Sequence, residues 1–158
     1  MTQRVALATV MDRLSIDAVI TDYAVAVDDG TWDDYIALFT EDGRADYRGA
    51  GGAEGTAPET AQWLARTLRA SPVRQHLIVN RRLDLQDLGG YPGDQARVRA
   101  DYLNPMGPAA EAGEHGTVPA FVSGGRYAFD LLRTEPGWRI RTVEARELWR
   151  CAPGAATG

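Results

Sequence analysis

The second half of the chain contains four long β-rich segments, and no other feature of the sequence constrains the fold as strongly. They span 73–85, 95–104, 121–133 and 138–149, with turn-forming residues at 87–93 and 134–137. The first half instead shows apolar residues at helical spacing. A chain that places helices first and an antiparallel meander second is typical of an α+β fold.

Three helices are predicted in the first half of the chain. Apolar residues recur three and four positions apart over 15–29, which predicts an amphipathic helix that Gly30 ends. Thr31 is the expected N-cap of a short second helix, and a third helix is predicted over 58–68. The connecting residues are predicted to form a short strand over 44–47 and a flexible turn over 49–55.

Length and charge limit the classes of protein that the chain can belong to. Its 158 residues, 44% of them hydrophobic, predict one domain over 1–158, with a core at about 14–149 and a flexible tail at 152–158. The net charge of -5 and the lack of a basic run predict no nucleic-acid or membrane-surface partner. No segment approaches the ~20 apolar residues of a membrane span. The N-terminus does not read as a signal peptide, so a cytoplasmic protein is expected.

Two residue types exclude several kinds of chemistry. Cys151 is the only cysteine, so an intramolecular disulfide and a cysteine-based metal cluster are excluded. All 17 basic residues are arginines. Without lysine, Schiff-base chemistry and a phosphate-binding loop lysine are excluded as well. We therefore expect no metal site.

The predicted sheet and helices enclose a space that suits a ligand. A strongly bent sheet closed on one side by helices makes a cone, and its apolar interior fits a small hydrophobic molecule. The segment 105–125 is rich in glycine and proline, lacks periodicity and is too long for an ordinary hairpin. We predict that it is a mobile flap that becomes ordered when ligand binds; the alternative is simple disorder. His115 in this segment is expected to be solvated rather than catalytic.

His76 is the best single indication of function. It is one of two histidines and lies within 73–80, a run that otherwise predicts a buried strand. An imidazole that points into a cavity can accept and return a proton at physiological pH, whereas the alternative is a core histidine bonded to a backbone carbonyl. Strand alternation places Ile78 on the same face. Asp28 lies at the flank of the apolar face of the first helix, so its carboxylate can lean inward or remain solvated.

Five stretches carry a resemblance to a known family: 22–33, 38–43, 75–80, 125–127 and 137–140. Together they resemble the SnoaL-like branch of the nuclear transport factor 2-like superfamily, over about 14–149. The pattern is most similar to bile acid 7α-dehydratases and, over 44–48, to scytalone dehydratases. This resemblance implies a cone-shaped α+β barrel, a pocket that works without a cofactor, and a homodimer or homotrimer.

The resemblance also implies a role for each matching residue. Tyr23 and Tyr47 match tyrosines that donate hydrogen bonds to substrate oxygen. Asp28 matches the carboxylate that orients the histidine, and His76 matches the acid–base residue. Asp101 matches a further acidic residue, but strand alternation places it opposite Tyr102. Either a bulge turns Asp101 inward or Tyr102 faces the pocket instead.

Other residues are predicted to bind the substrate. The family has an arginine near the end of the last strand, and Arg141 or Arg146 could fill this place. The remaining substrate-binding residues are predicted to be Trp63, Ile78, Tyr102 and Phe121.

These residues fit the removal of a proton next to a carbonyl group. That reaction needs a base near neutrality, a donor at the growing enolate charge and an acid for the departing hydroxyl. The sequence therefore predicts a dehydratase or isomerase that acts on a hydrophobic polycyclic, steroid-like or polyketide-like substrate. The alternatives are a polyketide cyclase and a non-catalytic binding domain similar to the small subunit of ring-hydroxylating dioxygenases.

Overall fold

The computed structural model describes residues 2–86, 89–108 and 119–152, and it consists of helices packed against one sheet. The helices are α1 (Gln3–Asp29), α2 (Trp32–Ala37) and α3 (Ala57–Thr67). The strands are β1 (Phe39–Asp46), β2 (Glu54–Thr56), β3 (Val73–Arg74), β4 (Leu77–Gln86), β5 (Gln95–Gly107), β6 (Phe121–Thr134) and β7 (Gly137–Cys151). The prediction of an α+β fold is confirmed.

The sheet is curved and mixed rather than a closed antiparallel barrel. Its strands lie in the order β2-β1-β7-β6-β5, and both β3 and β4 pair with β5. The long strands β5, β6 and β7 are antiparallel to one another, but β1 runs parallel to β7. Register shifts at Gly124/Gly125 and Asp130/Leu131 interrupt the β6–β7 ladder, and such bulges bend a strand.

Helix α1 is longer than the apolar pattern predicts. Its C-terminal end is as expected, because Gly30 adopts φ 70° and its N–H binds the carbonyl of Ala26. Its N-terminal end extends to Gln3, since no glycine or proline interrupts the segment. No helix in the described residues is long and apolar enough to cross a membrane.

A buried ion pair holds the N-terminal half of α1 against the sheet. Arg133 of β6 donates two parallel hydrogen bonds to the Asp12 carboxylate, at 2.7 and 2.8 Å. Trp138 Nε1 also donates to Asp12, at 3.1 Å. The hydrogen bonds from Arg133 are the largest cause that lowers the pKa of Asp12, and burial opposes them. Because Asp12 is a charged residue on an otherwise exposed part of the helix, apolar periodicity could not reveal this anchor.

The segment between α2 and α3 is more regular than predicted. The strand predicted over 44–47 begins already at Phe39, and the turn predicted over 49–55 contains a 3₁₀ turn at Arg48–Ala50 and the start of β2. Thr56 and Glu59 form a capping box at the start of α3. These contacts fix the position of α3 beside the sheet.

The predicted strand over 73–85 is interrupted, because Gln75 and His76 lie in a break between β3 and β4. Both ends of the predicted loop over 105–125 are also strand, since β5 continues to Gly107 and β6 begins at Phe121. The centre of the proposed flap, 109–118 with His115, lies outside the described residues, as does the tail at 153–158.

Candidate active site

The structure brings Asp28 and His76 into direct contact. Asp28 is the second-last residue of α1, and its Oδ1 lies 2.5 Å from His76 Nδ1. Its other oxygen, Oδ2, accepts a hydrogen bond from the backbone N–H of His76 at 2.8 Å. Both side chains are largely buried, with 19% of Asp28 and 8% of His76 exposed. The carboxylate thus holds both the ring and the backbone of the histidine.

The break between β3 and β4 is what allows this contact. The N–H of Gln75 binds the carbonyl of Pro105 on β5, but the N–H of His76 is turned away from the ladder and binds Asp28 instead. A carboxylate can only accept, so in the neutral ring Nδ1 carries the proton and Nε2 has the lone pair. Among the described residues Nε2 has no hydrogen-bond partner, and it is not sealed from solvent.

His76 lies at the wall of a cavity of about 200 Å³ between the helices and the concave face of the sheet. Its aromatic lining consists of Tyr23, Tyr47, Trp63, Tyr102 and Tyr127. The polar groups besides His76 are Asn104, Ser123, Glu147 and Thr67, and the rest of the wall is mainly aliphatic, including Val27, Leu64, Leu68 and Met106. An apolar cavity with a few polar groups is the usual form of a small-molecule site.

The tyrosines of the cavity are protonated at physiological pH. Tyr23 and Tyr47 are 1% and 6% exposed, and their hydroxyl oxygens lie 2.7 Å apart. Burial is the largest cause that raises the pKa of both phenols well above the ordinary value. Burial likewise raises the pKa of Tyr127. Trp63 stacks on Tyr47 with ring centroids 6.2 Å apart and completes this wall.

Tyr102 faces the cavity, as one of the two alternatives for β5 requires. Its ring lies 4.8 Å from that of Tyr127, and burial raises the pKa of its hydroxyl. A side chain at Gly125 would place its Cβ 2.6 Å from the Tyr102 hydroxyl oxygen, so the absence of a side chain there leaves room for the hydroxyl.

Several residues that were assigned to the pocket do not face it. Asp101 is on the opposite face of β5, where its carboxylate is 44% exposed and binds Arg126 and Asn80. No bulge turns it inward, because its neighbours pair in regular register with β6. Arg141 and Arg146 are exposed and also point away from the cavity, because Val143 and Ala145 occupy the inward positions of β7. The structure therefore does not bring these three residues to the cavity that His76 lines.

Ile78 and Phe121 also lie outside the cavity lining. Ile78 is buried in the core, 6% exposed. Phe121 is half-buried, and the guanidinium of Arg150 lies 4.4 Å from its ring centroid. Strand alternation predicted that Ile78 faces inward, but its side chain packs in the core instead of at the cavity wall. The strand is interrupted immediately before β4, so alternation does not continue from His76 to Ile78.

The sequence interpretation missed a second polar group in the cavity. Glu147 accepts a hydrogen bond from Ser123 Oγ at 2.6 Å and binds Arg150 Nη2 at 2.9 Å. The hydrogen bond from Arg150 is the largest cause that lowers the pKa of Glu147. Alternation from the buried Ala145 could have identified Glu147 as inward-facing. The position of Arg150 could not be predicted in this way, because the irregular register between Gly124 and Gly125 shifts the alternation near the end of β7.

Asn104 was missed as well, although it shares the inward face of β5 with Tyr102. The residue is 6% exposed, and its Oδ1 has no hydrogen-bond partner in the described residues. A buried amide oxygen without a partner costs about 1–3 kcal/mol. Its position in the cavity wall makes it available to a donor on a ligand.

No group of three or more His, Cys, Asp or Glu side chains in the described residues is arranged to hold a metal ion. The cavity itself brings together the Asp28–His76 pair, several phenols and the polar side chains of Thr67, Asn104, Ser123 and Glu147.

Comparison with known proteins places the chain among relatives of this architecture. It is 36% identical to protein Rv2910c of Mycobacterium tuberculosis over 141 residues, which cover 89% of this chain and 88% of that protein. The structure of a Novosphingobium aromaticivorans protein provisionally named aromatic ring hydroxylase is similar, with a TM-score of 0.69, 26% identity, and coverage of 90% and 94% of the two chains.

Two further solved structures share the fold at lower identity. One is a Novosphingobium aromaticivorans protein provisionally named scytalone dehydratase, with a TM-score of 0.70, 18% identity, and coverage of 97% and 95%. The other is hexachlorocyclohexane dehydrochlorinase LinA-type3 of Novosphingobium barchaimii, with a TM-score of 0.73, 15% identity and coverage of 97% of each chain. At these identities the likeness concerns the fold.

The model of one family matches most of the sequence. Residues 8–144 match the SnoaL-like domain, and this range includes the Asp28–His76 pair and all three helices except the first residues of α1. The resemblance derived from the sequence is therefore confirmed. The chain belongs to the SnoaL-like domain family.

Proposed function

We propose that the protein is a cofactor-independent lyase or isomerase that removes a proton next to a carbonyl group, and that its reaction is a dehydration. The observation that carries this proposal is the contact between Asp28 and His76 Nδ1 at the wall of a mainly apolar cavity. The carboxylate fixes the tautomer in which Nε2 is basic, and it stabilises the cationic ring once the proton has been taken up.

The proposed reaction uses His76 twice. Nε2 removes the proton from the carbon next to the carbonyl, and the electron pair of that C–H bond forms an enolate. The enolate then re-forms the carbonyl while the C–O bond to the β-hydroxyl breaks. The imidazolium returns its proton to the departing oxygen, which leaves as water. The hydroxyls of Tyr102 and Tyr127 are the proposed donors to the enolate oxygen.

The size of the cavity supports a small substrate. Sites for drug-sized ligands have volumes of roughly 300–1,000 Å³, whereas this cavity has about 200 Å³. We therefore propose a substrate with one or two fused rings rather than a steroid or a long polyketide chain. Aromatic walls made by Trp63, Tyr47 and Tyr102 suit a flat ring system of this kind.

The similar structures support the proposal in different degrees. Two carry names that denote elimination, a dehydratase and a dehydrochlorinase, but their likeness to this chain is in the fold. The structure provisionally named aromatic ring hydroxylase is compatible with the alternative of a non-catalytic subunit. A binding domain has no need for an acid–base pair in its cavity, so the Asp28–His76 contact favours the enzyme.

A β-hydroxy ketone of the proposed size provides the test. 3-Hydroxy-1-tetralone has two fused rings, and the loss of water gives 1-naphthol, whose fluorescence reports turnover. We expect the wild-type protein to accelerate this conversion and His76→Gln to lower the rate by about 10²–10⁴, because glutamine cannot take up and return a proton.

The other histidine of the chain offers a matched control. His115→Gln changes the same residue type, and we expect it to keep the wild-type rate. Melting temperature and ligand affinity should be measured on both variants, since a structural role of His76 would lower stability instead. A His76→Gln variant that dehydrates the tetralone at the wild-type rate would eliminate this mechanism.

A further inference from the structure

Four hydroxyl groups form a continuous hydrogen-bonded chain behind the cavity. The Tyr23 and Tyr47 oxygens are 2.7 Å apart, those of Tyr47 and Tyr35 are 2.7 Å apart, and Tyr35 lies 3.1 Å from Thr60 Oγ1. Tyr23 and Tyr47 line the cavity. Tyr35 and Thr60 are sealed behind them, 0% and 1% exposed. These hydrogen-bonded hydroxyls therefore connect the cavity to the backbone at the start of α3.

Thr60 fixes the direction in which these hydrogen bonds run. Its Oγ1 lies 3.0 Å from the carbonyl oxygen of Thr56 and 3.2 Å from that of Ala57. Carbonyl oxygens can only accept, and a threonine hydroxyl has a single hydrogen to donate. That hydrogen is directed to the helix backbone. Thr60 Oγ1 can therefore only accept from Tyr35.

The direction of the bond at Thr60 determines the direction of the other hydrogen bonds in this series of hydroxyls. Because Tyr35 donates to Thr60, its oxygen must accept from Tyr47, and Tyr47 must in turn accept from Tyr23. The phenolic hydrogens of Tyr23, Tyr47 and Tyr35 are then all donated within this series of hydroxyls, and none of the three remains for a ligand. Reversal would take the Thr60 hydrogen away from the backbone and leave its oxygen facing two carbonyl oxygens at 3.0 and 3.2 Å.

We propose that Thr60 is a positioning residue that makes Tyr23 a hydrogen-bond acceptor toward the cavity, so that the site selects a ligand with a hydroxyl group at this position over one with a carbonyl. This inference rests on the proposed function only in taking the cavity as the ligand site. It differs from the role that the family resemblance implies, in which Tyr23 and Tyr47 donate to substrate oxygen. In the proposed reaction, Tyr23 accepts the hydrogen of the substrate's β-hydroxyl and orients that group.

The direction of the hydrogen bonds among these hydroxyls can be measured without any ligand. In wild-type protein the hydroxyl proton of Tyr35 should show a nuclear Overhauser effect to the methyl group of Thr60. In Thr60→Val the acceptor is gone, so the same proton should turn to the hydroxyl oxygen of Tyr47. Its nuclear Overhauser effect should then be to the ring protons of Tyr47. A wild-type Tyr35 hydroxyl proton that already lies toward Tyr47 would overturn the inference.

Two probes of similar size measure the consequence for binding. 2-Naphthol offers a hydroxyl donor, whereas 2-acetylnaphthalene offers only an accepting carbonyl, and calorimetry gives the affinity of each. We expect wild-type protein to prefer 2-naphthol. In Thr60→Val the hydrogen bonds among the tyrosine hydroxyls can reverse, so that Tyr23 can donate to a ligand. The ratio of the two affinities should then shift toward the ketone by about five- to tenfold, which corresponds to the net free energy of one hydrogen bond.

Two controls separate this role from simple packing. Thr60→Ser keeps the hydroxyl and should retain the wild-type preference. Thr9→Val removes a similar helix hydroxyl, whose Oγ1 donates to the Val5 carbonyl at 3.0 Å, from an exposed part of α1. It should change neither affinity. Unchanged selectivity in a folded Thr60→Val variant would overturn the inference.

The failure of this inference can be distinguished from the failure of the proposed function. If both probes bind and Thr60→Val leaves their ratio unchanged, the role of Thr60 is wrong while the cavity remains a ligand site. If neither probe binds wild-type protein, the cavity is not a ligand site and both proposals fail. Loss of the His76→Gln effect on tetralone dehydration would remove only the proposed reaction.

Discussion

Helix α1 supplies two largely buried aspartates that each bind a basic side chain from the sheet region, and the two pairs differ in whether every polar group has a partner. Asp12 and Arg133 form the first pair, near the N-terminal half of the helix. Asp28 and His76 form the second, at its C-terminal end. Both aspartates are largely buried, at 11% and 19% exposed.

Every nitrogen of the Arg133 side chain has a partner. Nη1 and Nη2 bind Asp12, Nε binds Asp94 at 3.1 Å, and the guanidinium lies 4.6 Å from the ring centroid of Trp138. In His76, by contrast, only Nδ1 bonds Asp28, and Nε2 has no partner among the described residues although the ring lines the cavity. A saturated pair stabilises the fold, whereas a pair with one group left over at a cavity can act on a ligand.

Asp28→Asn is expected to have the largest effect on the second pair. The new amide can donate to Nδ1, which moves the ring proton to Nε2 and removes the lone pair from the cavity. We expect tetralone dehydration to fall by about 10²–10⁴. The double variant with His76→Gln should be no slower than His76→Gln alone, because the two residues act as a unit.

The control for this change is Asp17→Asn, also on α1, where the carboxylate is 60% exposed and binds Arg81. It should leave the rate unchanged. If Asp28→Asn dehydrates at the wild-type rate, the difference between the two pairs is not catalytic.

Arg133→Met is the corresponding change in the first pair. It leaves the Asp12 carboxylate buried without its main partner, so the free energy of unfolding should fall by about 3–5 kcal/mol. Denaturant unfolding measures this loss. Dehydration by the protein that remains folded should be unchanged, and a large loss of activity at full stability would contradict the structural role.

Asn104→Leu, a change in the cavity wall, is expected to raise the free energy of unfolding rather than lower it. Because Asn104 Oδ1 is buried without a partner, replacement by an apolar side chain of similar shape should raise the free energy of unfolding by about 1 kcal/mol. The same change should weaken the binding of 2-naphthol if its hydroxyl reaches this oxygen. Reduced stability would instead indicate that the amide is satisfied in solution.

Acid should weaken the Asp12–Arg133 pair. The pKa of Asp12 is lowered in the folded protein, so its contribution is present above the ordinary carboxyl value of 3.8 and is lost as the pH falls through the lowered value. Asp12→Asn lacks this contribution. The stability difference between wild type and Asp12→Asn should therefore shrink below about pH 4, as measured by denaturant unfolding. A difference that stays constant down to pH 2 would contradict it.

Local patterns predicted much of the frame. Helical spacing and Gly30 predicted the C-terminal end of α1, and alternation in β5 predicted that Tyr102 and Asp101 lie on opposite faces. Such patterns report periodicity within one element. They could not reveal that Asp12 is held by a residue 121 positions away, nor that Glu147 and Ser123 meet across two strands.

The sequence by itself determined the fold class, the family and the residue types available for chemistry, because periodicity, turn residues and composition are properties of the chain alone. Only the tertiary structure decided which of those residues meet. Asp28 reaches His76 because the strand breaks at Gln75 and His76 and frees a backbone N–H for the carboxylate. Arg141, Arg146 and Asp101 remain outside because the packed helices bury the other face of the sheet, where their neighbours lie. Register and strand breaks arise from contacts between distant segments, and no local pattern contains them.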